Sequence, residues 1–114
     1  MSAILIERIR KSRQISIKIG ELTLTCRRPT DLEMLELRGK EIKQGDILTR
    51  FVEGWEGMRE LDLVPGGTGA PVPFSPELFA EWVADRPQSW GPICNAVIDG
   101  YRKHEADLEE SLKN

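Results

Sequence analysis

His104 followed by Glu105 matches the first two residues of a zinc-protease helix, in which a second histidine four positions on completes the metal pair and the glutamate serves as base. Leu108 stands at that position instead. His104 is the single histidine, set in the polar run Arg102-Lys103-His104-Glu105, so a solvated helical histidine accounts for it better than a general base. Cys26 and Cys94 lie far apart without metal-site spacing, and they read as two small half-buried core residues. Ser75 before Pro76 is explained as a helix cap, while Ser89 has no partner legible in the sequence. Carboxylates are plentiful but scattered. The expectation is therefore no enzyme, with no catalytic, cofactor-binding or metal residues.

Aromatic residues beside glycine and proline stand out more than any reactive group. Trp55 lies in Val52-Glu53-Gly54-Trp55-Glu56-Gly57, Phe74 closes a glycine- and proline-rich stretch, and Trp90 precedes Gly91-Pro92. Tryptophan is favoured at binding hot spots because it offers a large apolar body with one donor at its edge. Trp82 and Trp90, on helical stripes, read as core; for Trp55, flanked by glycines that give no side-chain cover, core and partner surface both stand. The candidate partner-binding set is Phe51, Trp55 and Phe74, a groove for an amphipathic helix.

The elements that position these residues begin with a hairpin. Ile15, Ile17 and Ile19 alternate with polar residues, Gly20-Glu21 intervenes, and Leu22, Leu24 and Cys26 alternate again. A two-residue turn at Gly20-Glu21 sets Ile19 opposite Leu22, Ile17 opposite Leu24 and Ile15 opposite Cys26, all six on one face. Ala3 to Ile9 is a third strand or a short helix. Thr30 and Glu33 form a capping box after Pro29, opening a helix with Leu32, Leu35, Gly39 and Ile42 on one stripe; Gly39 admits a close neighbour and Gly45 ends the helix. Asp46 caps the next, in which Ile47, Leu48, Phe51, Val52, Trp55 and Met58 make an apolar band. Pro65 to Pro73 excludes regular structure and is a long connector where internal motion should concentrate. Ser75-Pro76 caps a short helix with Leu78, Phe79, Trp82 and Val83 on its apolar face, ending before Pro87. A longer helix starts near Gly91-Pro92, with Trp90, Ile93, Cys94, Val97, Tyr101, Leu108 and Leu112 along one side.

The fold expected is α+β: an N-terminal β-hairpin or small antiparallel sheet followed by about four helices. The 114 residues suit one domain over 1–114, with a basic β-rich segment at 1–28, helices at 29–58, a glycine- and proline-rich loop at 59–74 and helices at 75–112. A hydrophobic share of 39% and a charged share of 31% are globular. The net charge of -3 hides an asymmetry. Arg8, Arg10, Lys11, Arg13, Lys18, Arg27 and Arg28 face only Glu7 and Glu21 in the first 28 residues, and the remainder carries the acidic excess. No stacking aromatic accompanies that basic segment, so nucleic acid is not expected as partner; a solvated sheet face pairing with acidic helices, within the molecule or between copies, is. No apolar run reaches the roughly 20 residues of a membrane span, and Glu7 comes too soon for a signal-peptide core, so a cytoplasmic protein without membrane contact is expected.

Arg28-Pro29-Thr30 at a strand-to-helix junction, Gly54-Trp55-Glu56-Gly57, Pro71-Val72-Pro73-Phe74-Ser75-Pro76-Glu77 and a charged C-terminal helix ending in Lys113-Asn114 together resemble the tail assembly chaperones of long-tailed bacteriophages. The likeness spans roughly residues 14 to 114, and Met58 to Ala70 is longer than the short turn the family has there. The resemblance implies a protein of the host bacterial cytoplasm that coats the tape measure protein, keeps it soluble and delivers it to the tail tube protein, without enzymatic activity or cofactor. It also implies a longer frameshifted form, for which Lys113-Asn114 could be encoded as a run of adenines. Alternatives are a structural tail subunit, tube-end or connector, retained in the virion, and a small phage regulatory protein binding a host enzyme.

Overall fold

Gly20 has φ of 62°, the left-handed backbone that a tight turn between two antiparallel strands requires, and it folds β1 (Gln14–Ile19) back onto β2 (Leu22–Arg27). The computed structural model describes residues 2–38 and 43–113, and in it Ile19 pairs with Leu22, Ile17 with Leu24 and Ile15 with Cys26, the register read from the alternation. Leu22, Leu24 and Cys26 are buried, while Ser16, Lys18, Thr23 and Thr25 alternate with the inward residues on the other face.

A third strand, β3 (Val52–Glu56), lies antiparallel to β2, giving the order β1-β2-β3. This corrects the helical reading of Phe51 to Met58. The residues spaced three and four apart also contain the alternating run Val52-Glu53-Gly54-Trp55-Glu56, and pairing with β2 decides between the two periods. Trp55 faces Leu24 and Gly54 faces Thr25, with an irregularity at Thr25/Cys26 that brings Val52 opposite Cys26. Gly57, at φ of 95°, ends the strand; a Cβ there would lie 2.8 Å from the Glu21 carbonyl oxygen.

Six helices accompany this sheet among the described residues, and the last of them packs on β1 and β2. Ala3 to Ile9 belongs to α1 (Ser2–Ser12), whose last turn carries Arg10 and Lys11 where the helix dipole favours cations and whose end is closed by Ser12 Oγ donating to Ile9 O at 2.6 Å. It buries none of its residues. The Thr30/Glu33 capping box forms as read, Glu33 N donating to Thr30 Oγ1 at 3.1 Å and Thr30 N to Glu33 Oε1 at 3.0 Å, and opens α2 (Asp31–Arg38). The expected stripe faces the wrong way: Leu32 and Leu35 are exposed, and Met34 and Leu37 turn inward, while Gly39 and Ile42 lie outside the described residues. Gly45 and Asp46 do not separate two helices; both fall in the first turn of α3 (Gln44–Arg50), with Lys43 at the N-cap position.

The stretch after β3 is more ordered than a bare connector. It includes α4 (Glu60–Leu63), and Glu60 N donates to Ala70 O, Leu61 N to Thr68 O and Val72 N to Met58 O at 2.9–3.0 Å. Ser75 then caps α5 (Pro76–Ala84) by accepting from Leu78 N at 3.1 Å, with Pro76 in the first turn. The final helix, α6 (Pro87–Lys113), starts earlier than Gly91: Pro87 takes the first position and Pro92 sits inside. Buried Ser89 donates to Arg86 O at 2.6 Å and the Trp90 indole to Val83 O at 2.7 Å, which fixes the α5–α6 corner. One core cluster joins Leu24, Cys26, Phe51, Phe79, Ile93 and Val97 from sheet and helices, so the fold is α+β. No helix is long and apolar enough to cross a membrane among the described residues.

Candidate functional site

Phe51, Trp55 and Phe74 do not share one groove. Trp55 and Phe74 meet edge to face, with centroids 5.2 Å apart, and the ring series continues through Phe79 at 6.0 Å from Phe74 to Trp82 at 6.0 Å from Phe79. The Trp55 indole N–H donates to Val72 O at 2.7 Å, tying the proline-rich segment to β3. Trp55 and Phe74 are half-buried and pack against the core. Of the tryptophans expected in the core, Trp82 is buried and Trp90 half-buried against the cluster.

Phe51 points elsewhere. It is 1% exposed and floors an apolar cleft of about 550 Å³ between α2, α3 and α6, where Met34, Leu37, Ile47, Val97 and Ile98 provide most of the wall and Gln44 and Arg102 the polar edge. Neither Trp55 nor Phe74 lines it. The cleft fits the dimensions of a site for a ligand or a row of side chains, and its lining among the described residues is mostly apolar.

An ion-pair cluster sets the rotation of α2 and hence the wall of the cleft. Arg27, at the end of β2, holds Glu33 with a two-pronged contact, Nη1 to Oε1 at 2.6 Å and Nη2 to Oε2 at 2.8 Å, and Arg50 reaches Glu33 Oε2 at 3.3 Å. Arg27 lies over the Phe51 ring at 4.8 Å. The Arg27 hydrogen bonds hold the Glu33 carboxyl down at about 2, against the opposing effect of burial. With Glu33 pinned to the sheet side, Met34 and Leu37 face the cleft and Leu32 and Leu35 face out. The hairpin's basic end thus does meet an acidic helix within the molecule, at Arg27 and Glu33.

His104 is not freely solvated. Its Nε2 is 3.1 Å from Asp31 Oδ2, while the Tyr101 hydroxyl donates to Asp31 Oδ1 at 2.7 Å, joining the start of α2 to α6. The Tyr101 and His104 hydrogen bonds hold the Asp31 carboxyl below its ordinary range, and the same bond to Asp31 raises the Tyr101 hydroxyl. Both thiols are free; burial pushes Cys26 up to about 11 and raises Cys94 as well, so at neutral pH they are protonated packing groups. Among the described residues no cluster of three His, Cys, Asp or Glu side chains is placed to hold a metal ion.

Met34 and Leu37 are not singled out by the sequence because α2 offers two apolar stripes, and the contacts of Glu33 with Arg27 and Arg50 accompany the choice of the inner one; Ile98 lies beside the Val97 stripe of α6 and is exposed at the cleft. Comparison with protein-family models, curated proteins and solved structures finds no match to the chain.

Proposed function

We propose that the protein is a tail assembly chaperone that binds amphipathic helices of a phage tape measure protein in the host bacterial cytoplasm, keeps that protein soluble and passes it to the tail tube protein. The observation that carries this reading is the cleft over Phe51, whose walls among the described residues are mainly apolar side chains of three helices, with Gln44, Tyr101 and Arg102 as polar members. An amphipathic helix binds such a surface by seating side chains at three- and four-residue spacing. Phe51 forms the floor, and Trp55 and Phe74 act one step removed, by holding the loop and β3 together.

Co-expression with the tape measure protein of the same gene cluster tests the reading. The expected result is a soluble tape measure protein with the chain and an aggregated one without it, and purified virions free of the chain. A tape measure protein that aggregates equally in both cases overturns the proposal, and retention of the chain in virions replaces it with a structural tail subunit.

A further inference from the structure

Leu5, Ile6 and Ile9 lie on one side of α1 and are exposed by 56, 47 and 52%, although they are the side chains a helix ordinarily buries. Arg8 and Arg10 border that stripe. At the other end of the chain, α6 carries Cys94, Val97 and Tyr101 into the core on a stripe that continues as Leu108 and Leu112, exposed by 47 and 86%. Glu105 and Glu109 border it on one side and Asp107 on the other. One exposed apolar stripe is therefore basic-edged and the other acidic-edged.

We infer that α1 of one copy docks on the outer end of α6 of a second copy, so that the chain self-associates through these two helices. An antiparallel arrangement sets Leu5 against Leu112 and Ile9 against Leu108, places Arg10 between Glu105 and Glu109, and brings Arg8 to Asp107. The occupant follows from this complementarity: a second copy supplies both an apolar stripe and opposite charge along its edges, where within the chain Glu105 has an exposed contact with Arg38 at 3.8 Å. The inference does not depend on the proposed function.

Sedimentation of the purified full chain tests it. At about 100 µM, above the micromolar dissociation constants expected of contacts this small, the wild type runs heavier than the 12.9 kDa monomer. Leu5→Asp with Ile9→Asp runs as a monomer; each loss of an apolar anchor weakens association by about thirtyfold. Because α1 buries no residue, these variants keep the wild-type melting curve. Arg8→Glu with Arg10→Glu, and separately Asp107→Lys with Glu109→Lys, are each monomeric, whereas their equimolar mixture associates. A monomeric wild type overturns the inference, as does a charge-reversed chain that still associates alone or a mixture that stays monomeric. A monomeric wild type that co-sediments with phosphatidylglycerol vesicles overturns it in favour of a lipid surface.

Discussion

Replacing Trp55 by alanine removes three things at once. The edge-to-face contact with Phe74 at 5.2 Å is worth about 1 kcal/mol. The indole donation to Val72 O at 2.7 Å contributes about 1 kcal/mol more, and its loss leaves that carbonyl without this donor. Covering the buried half of the ring adds about 1 kcal/mol, a fraction of the value for a fully buried side chain. Trp55→Ala is therefore expected to lose about 3 kcal/mol of folding stability, and Trp55→Phe, which keeps an aromatic ring and loses the donor, about 1 kcal/mol. Urea unfolding followed by far-ultraviolet circular dichroism measures both, provided the slope with denaturant stays constant. A domain of ordinary stability remains folded after either change. If Trp55→Ala unfolds within about 0.5 kcal/mol of wild type, the indole is not a clamp. A folded Trp55→Ala protein that fails to solubilise the tape measure protein would then make Trp55 a direct docking residue.

Gly57→Ala, forced to φ of 95° with its new Cβ 2.8 Å from Glu21 O, should cost about 2 kcal/mol or more in the same assay; a neutral result contradicts the strand-end geometry. Glu33→Gln should cost about 1 to 2 kcal/mol at pH 7, since Arg27 keeps Glu53 at 3.4 Å. The Glu33 carboxyl is depressed from 4.5 to about 2, so its stabilisation is complete above about pH 4.5 and is lost as pH falls towards 2. Thermal melts should show the wild-type advantage over Glu33→Gln shrinking across that window, and a gap that stays constant refutes the pairing. Self-association through α1 should weaken as salt rises, because exposed charge pairs are screened within about 8 Å at physiological ionic strength. An assembly that persists or grows at high salt rests on apolar contact alone.

The hairpin register was legible because period-two alternation on both sides of Gly20-Glu21 admits one face only. The capping box at Thr30 and the serine cap at Ser75 were legible for a similar reason, being bonds between residues three apart. What escaped depends on distant partners. Val52 to Glu56 satisfies helical spacing and strand alternation together, and the choice belongs to β2, about 25 residues upstream. Glu33 of α2 is paired with Arg27, six residues before it, and with Arg50 from α3, and in that setting the cleft uses Met34 and Leu37 rather than the Leu32 and Leu35 stripe that spacing alone favours. Gly39 lies outside the described residues; among these, Gly57, Gly67 and Gly100 admit close neighbours, Gly100 on α6 facing Ile15 and Arg28. Of the three aromatic residues chosen as a site, Phe51 lies in the cleft while Trp55 and Phe74 form a separate pair.

The most direct measurement of the docking claim is methyl-resolved nuclear magnetic resonance of the full chain, titrated with a synthetic amphipathic helix taken from the tape measure protein. Saturable shifts of the Met34, Leu37, Ile47 and Ile98 methyls around the cleft are expected, abolished by Ile98→Glu in a chain that keeps its wild-type circular dichroism. Absence of shifts at those methyls, or shifts confined to residues around Trp55 and Phe74, would contradict it.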